Sequence, residues 1–279
     1  MTKNIRQNCS ALGFSGISIH LAECFLRSFL YSSLSPEYMV VAWSKLSMIV
    51  FILRNLGMIV DYTTPIGMLA IGLGGVSSAL WGIIIAVSYK KYSGKRILKD
   101  FFAIKQKISS YLWVLAFLLL DFCYLGFDGK LVLNAWYLPI ILFLKAILFG
   151  GIEEVGWRYV FQPILMERRS YLSSTLMTFV LWGIWHFAYF YIEGTLSQVG
   201  TFGFLLGLLT NCFILSALFI KTKSLWICVM THSLINVLSQ LAVGGNENIS
   251  YACKVIIIVV AILLVLRAQN NKARDLSVI

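Results

Sequence analysis

With 59% hydrophobic residues, 13% charged residues and a mean hydropathy of +0.83 over 279 positions, the chain lies far outside the balance of a water-soluble domain. Its net charge of +11 does not point to nucleic acid, because the basic residues are spread among short loops and no soluble segment carries a binding face. Apolar runs of ~20 residues recur, each long enough to cross a ~30 Å hydrocarbon core as a helix, and runs such as 255–266 are apolar all round where membrane strands would alternate.

The N-terminus, MTKNIRQN, leads into mixed residues rather than a clean apolar stretch with a cleavage site, so no removable signal peptide is expected. Over residues 10–34, Gly16, His20, Glu23 and Arg27 form a small and polar helical stripe opposite Phe14, Leu21, Phe25 and Phe29. This predicts an amphipathic interfacial helix in the region 1–36. Spanning helices are then predicted at roughly 38–60, 66–88, 111–127, 134–152 with a continuation to about 165, 171–192, 199–220, 224–243 and 250–267. The expected fold is all-α: a polytopic membrane helix bundle of about eight transmembrane helices plus an N-terminal amphipathic helix. No internal repeat appears, so residues 1–279 read as one integral membrane domain.

Loop charges orient these spans. The loop KKYSGKRILKDFFAIKQK holds seven Lys or Arg against one Asp, and ERRS, KTKS and the tail RAQNNKARDLSVI are basic too. The alternate connections DYTTP, FDGK, EGTLSQ and GGNENIS hold only Lys130. The positive-inside bias puts the basic loops and both termini in the cytoplasm of a multi-pass cell-membrane protein. Six cysteines (Cys9, Cys24, Cys123, Cys212, Cys228, Cys253) lie scattered without a CxxC pair or metal-ligand spacing, and read as small core residues.

An ionisable residue at membrane depth is costly unless paired or facing water, so Lys45, Arg54, Asp121, Lys145, Glu153, Glu154, Arg158, His186 and His232 are candidates for function. Asp121 and Lys145 read as interhelical partners or snorkelling groups, and aromatic clusters such as WGIWHF as packing residues. Helical neighbours lie four apart, so Glu154 pairs with Arg158 while Glu153 points about 100° away. That leaves Glu153 without a local partner, free to face a cavity as a general acid or base. Glu153 and His186 lie at similar depth on consecutive antiparallel helices, and His232 and Asn236 share a face one turn apart on a later one. Alone, each histidine or amide is more simply a hydrogen-bonding strut between helices. Together, acid, two imidazoles and an amide make a hydrolytic set.

These residues resemble a known family. EEVGWR at Glu153 to Arg158, WGIWH at Trp182 to His186 and HSLIN at His232 to Asn236 are similar, in order and spacing, to the motifs EExxxR, FxxxH and HxxxN of the CPBP family. These are the CAAX-processing and bacteriocin-processing (Abi) intramembrane proteases. The resemblance covers roughly 136–241, with Trp182 where Phe is usual and Tyr159 where Gly is common. It implies that Glu153 and His186 activate a water for attack on a peptide carbonyl, that His232 and Asn236 stabilise the oxyanion, and that Glu154 and Arg158 support the architecture. Glu153, His186 and His232 could instead hold zinc, but no HExxH helix is present and the metal-free glutamate route is favoured.

The expected activity is therefore peptide-bond hydrolysis in a membrane-associated peptide or protein, with the bilayer as the other partner. Short loops and the WGIWH form look like the bacterial branch, whose implied substrates are signal or bacteriocin-type peptides, their leaders, or membrane-protein segments. The alternative is a non-catalytic membrane regulator or bacteriocin-immunity protein in which the same residues are a structural polar core. A proton-relay transporter is disfavoured by the lack of repeated halves.

Overall fold

The computed structural model describes residues 49–277, with side chains over 49–271; the predicted interfacial region 1–36 and the first part of the span at 38–60 lie outside the described residues. The longer helices among the described residues are α1 (Pro65–Ser88), α2 (Gly94–Phe101), α3 (Ile108–Phe122), α4 (Leu138–Phe149), α5 (Tyr171–Glu193), α6 (Thr201–Thr222), α7 (Leu225–Leu241) and α8 (Glu247–Ser277). Among the described residues α1, α3 with its 3-10 extension to Gly126, α5, α6 and α8 are long and apolar enough to cross a membrane. Helix α7 is a shorter apolar helix, and α4 is followed by an irregular segment. The molecule is thus an all-α polytopic bundle, with five helices of membrane-spanning length among the described residues.

Local sequence sets the helix ends. Thr64 accepts from the Gly67 amide at 3.2 Å and Pro65 opens α1, Ser170 accepts from the Ser173 amide ahead of α5, and Ser224 accepts from the Ile227 amide ahead of α7. Helix α5 ends at Gly194 in the left-handed region (φ 84°). Its last carbonyls do not stay orphaned. The Arg54 guanidinium donates to the Tyr191 and Ile192 carbonyls at 2.6 and 2.9 Å and to Val60 at 2.8 Å, which accounts for one cation at membrane depth.

Small residues decide how closely the helices approach. On α1, Gly67, Ala70, Gly74, Ser78, Gly82 and Ala86 lie on a buried stripe. A methyl on Gly82 would sit 2.6 Å from the Gly156 Cα, and one on Gly156 would collide with the Ser78 carbonyl. Backbone therefore lies on backbone between α1 and the segment after α4, as small-residue interfaces in membranes allow. Helix α6 is the central post, buried almost continuously from Cys212 to Leu218, and packs on α5, α7 and α8. Side chains such as Ile140, Leu144, Leu148, Val255, Val259 and Leu263 are exposed, as a lipid-facing surface requires.

Two features depart from the sequence expectation. The basic loop after α1 contains α2, which buries Ile97 and Phe101 and leaves Lys95, Arg96 and Lys99 exposed. Two short strands, β1 (Gly129–Leu131) and β2 (Ala242–Gly244), pair antiparallel with Lys130 opposite Val243, tying the connection after α3 to the end of α7. Each strand is only three residues long, too short to register as period-two alternation.

Candidate active site

Helix α4 stops at Phe149 rather than running on to about 165. Gly150 (φ −136°, ψ −56°) leaves helical geometry, and a 3-10 turn (Gly151–Glu153), a short α-turn (Glu154–Gly156), a π-turn (Trp157–Phe161) and a last α-turn (Gln162–Met166) follow. Pro163 explains the wide turn. In a regular helix its ring would press on the carbonyl four residues back, at Tyr159, and the π-turn widens the coil just there. This irregular backbone carries both glutamates and packs between α1 and α7.

Glu153 is buried, at 3% exposure, and its Oε2 accepts from the indole N–H of Trp182 at 2.8 Å. Glu153 is expected to lack an ion-pair partner on its own helix, and this hydrogen bond comes instead from α5. The indole is the hub of the site. Its ring centroid lies 5.3 Å from His186 and 5.4 Å from His232, and the Arg158 guanidinium sits 4.3 Å over its face. His186 Nδ1 lies 2.9 Å from the Trp182 carbonyl. A carbonyl only accepts, so the proton is on Nδ1, and the neutral ring keeps a lone pair at Nε2.

Glu154 has different direct partners. Its Oε1 accepts from His232 Nδ1 at 2.8 Å, and its Oε2 lies 3.5 Å from Arg158 Nε, with both partners of this ion pair fully buried. Arg158 also donates to Cys212 Sγ at 3.4 Å. Pairing of Glu154 with Arg158 was expected from their spacing; the contact with His232 was not, because it joins residues 78 apart. Since the carboxylate takes Nδ1–H, His232 presents Nε2 on its far side. Asn236 lies one turn on, half-buried. Gly150 marks where the two converge: a methyl there would meet Asn236 Nδ2 and sit 3.4 Å from His232 Nε2.

Zinc on Glu153, His186 and His232 is a matter of donor arrangement. Among the described residues no three His, Cys, Asp or Glu side chains gather in a metal-holding group. The Nδ1 bonds of His186 and His232 leave both Nε2 atoms free, as in many zinc sites, so it is the spacing of the side chains and not their hydrogen bonds that decides. The set as arranged does not fit a zinc site, and no step is derived through one.

The residue that sequence reasoning undervalued is Trp182. It counted as packing and as a variant of a Phe position, although an indole N–H at membrane depth needs an acceptor and Glu153 is a natural one.

Residues 134–238 match the type II CAAX prenyl endopeptidase Rce1-like family, in agreement with the resemblance carried by the three motifs. No curated protein matches the sequence significantly. The matched segment opens just before α4 and closes within α7, so it contains Glu153, Glu154, Arg158, Trp182, His186, His232 and Asn236.

Proposed function

We propose that this membrane protein, whose residues 134–238 carry the CAAX-protease family match, is an intramembrane endopeptidase that hydrolyses a peptide bond by a glutamate-activated water. The observation that most supports the reading is the division of labour between adjacent glutamates. Glu154 is committed to Arg158 and His232, whereas Glu153 is held on one oxygen by a neutral indole donor, which leaves its charge uncompensated by a direct ion pair.

In this reading a water sits between Glu153 and the Nε2 lone pair of His186. Glu153 takes the proton as the oxygen attacks the carbonyl, and later returns it to the leaving amine. The developing oxyanion lies near Gly150, facing Asn236 Nδ2 and His232 Nε2. With Nδ1–H of His232 committed to Glu154, donation from Nε2 requires the ring to carry a second proton, and Asn236 Nδ2 is the donor available without one. Each such donor in a water-poor site contributes about 3 kcal/mol to the barrier. Loop charge supports cytoplasmic termini and basic loops, and the resemblance to the bacterial branch implies the membrane of a bacterial cell. The substrates are membrane-associated peptides such as leaders or signal remnants.

The test is cleavage of a leader-type peptide by purified protein in lipid micelles, comparing wild type with Glu153→Gln and His186→Ala after both variants are shown to be folded. Losses of at least about 100-fold are expected. Undiminished cleavage in both would sink the protease reading and favour a regulator or immunity role. Cleavage that stops in chelator and returns with zinc would overturn the metal-free route.

A further inference from the structure

Cys123 and Cys253 were expected to be small core residues, but the fold places them against each other. Cys123 opens the 3-10 turn after α3, Cys253 lies in the second turn of α8, and their sulfurs are 2.8 Å apart although the residues are 130 apart in sequence. Beside them Lys254 Nζ donates to Asp121 Oδ1 at 3.0 Å, so an ion pair sets the register of the same two elements. The other described cysteines have no such neighbour: Cys212 accepts from Arg158, and Cys228 donates to the Leu215 carbonyl at 3.6 Å.

We propose that Cys123 and Cys253 are a modification site, joined as a disulfide that clamps α3 to α8 on the outer side of the membrane. Two observations beyond proximity support it. The flanking connections FDGK and GGNENIS belong to the set with a single Lys, the side that loop charge places away from the cytoplasm, where disulfides persist. A cavity of about 390 Å³, half polar in its lining, opens alongside, bounded by Tyr124 next to Cys123 and by Lys254 next to Cys253. Neither sulfur lines it, but Cys123 is only half-buried, which leaves its thiol open to a disulfide-bearing oxidant.

The chemistry is thiol–disulfide exchange. The Cys123 thiolate attacks one sulfur of the oxidant's disulfide and expels the other as a thiolate. Cys253, deprotonated in turn, then attacks the mixed disulfide and releases the second oxidant sulfur. The protein loses two electrons and two protons, and the oxidant's disulfide becomes two thiols. This bond does not depend on the protease reading. Neither cysteine touches Glu153, His186, His232 or Asn236.

The full chain is isolated from membranes with free thiols blocked at lysis, then digested with and without reductant. The expected result is a linked pair of peptides containing Cys123 and Cys253, lighter by two hydrogens than their sum, which disappears on reduction. Cys123→Ser should expose Cys253 to the blocking reagent, and Cys212→Ser should leave the linked pair intact. Complete blocking of both thiols in the unreduced wild-type protein overturns the proposal, as does a link that forms only when an oxidant is added after isolation.

Discussion

His232 donates through Nδ1 to one oxygen of Glu154 at 2.8 Å, while Arg158 lies 3.5 Å from the other, so one buried carboxylate orients an imidazole and neutralises a guanidinium. Removing it strands Arg158 as a buried cation. Glu154→Ala is expected to cost about 3–5 kcal/mol of stability, the range for breaking a buried pair from one side. Glu153→Gln keeps an acceptor for Trp182 and should cost less than about 1 kcal/mol. Denaturant unfolding in mixed micelles measures both. Equal losses would mean that the two glutamates are not divided as the geometry indicates.

Trp182 holds Glu153 through its indole N–H at 2.8 Å and keeps its ring against His186, His232 and Arg158. Trp182→Phe preserves most of the ring contact and deletes only the donor. A hydrogen bond to a charged acceptor contributes about 1.5–3 kcal/mol, so turnover should fall roughly 10- to 100-fold with KM little changed. Far-UV dichroism should stay near wild type, while the unfolding midpoint falls because Glu153 loses a buried donor. Unchanged turnover in a folded Trp182→Phe protein would remove the indole from the site.

Much of this was legible in the sequence because membrane helices announce themselves by length and hydropathy. The ends of α1, α5, α6 and α7 fall within a few residues of the expected spans. The Glu154–Arg158 pair was readable because it is local and spaced by four. The rest depends on contacts that spacing does not encode. Which α5 side chain reaches Glu153, and that His232 reaches Glu154, is set by the irregular backbone at 150–161, and a regular-helix projection across that stretch misplaces its side chains. Cys123 and Cys253 looked scattered for the same reason: α3 and α8 are distant in sequence and adjacent only in the bundle.

Two glycines in GGIEEVG separate chemistry from packing. A methyl on Gly150 would push on the flexible end of Asn236 and crowd His232 Nε2, whereas one on Gly156 would strike the Ser78 backbone carbonyl. A side-chain amide can swing aside; a helix carbonyl cannot. Gly150→Ala is therefore expected to fold with a modest loss and to cut turnover at least roughly tenfold by displacing oxyanion donors, about 1.4 kcal/mol. Gly156→Ala should lower stability by about 3 kcal/mol, at the top of the range for overpacking. Paired unfolding and cleavage measurements separate the effects. A Gly150→Ala enzyme with full turnover would place the oxyanion elsewhere.

Tyr159 connects the site to the basic connection after α1. Its hydroxyl donates to Asp100 Oδ2 at 2.5 Å, Asp100 lies 3.8 Å from Arg96, and Arg96 sits 3.8 Å over the ring of Tyr92, so a polar chain ties α2 to the π-turn that contains Arg158. Tyr159 is thus a tether, and α2 is held against the element that carries the glutamates. Tyr159→Phe removes the hydroxyl but leaves the ring packed 5.6 Å from Tyr92. The bond joins a buried ring to a half-exposed carboxylate, so the expected stability loss is about 1 kcal/mol. The larger effect should be local: amide hydrogen exchange across 94–101 should quicken, while that of α6 stays unchanged. Exchange in α2 that is identical in both proteins would show that apolar contacts of Ile97 and Phe101, rather than the tyrosine, hold the helix in place.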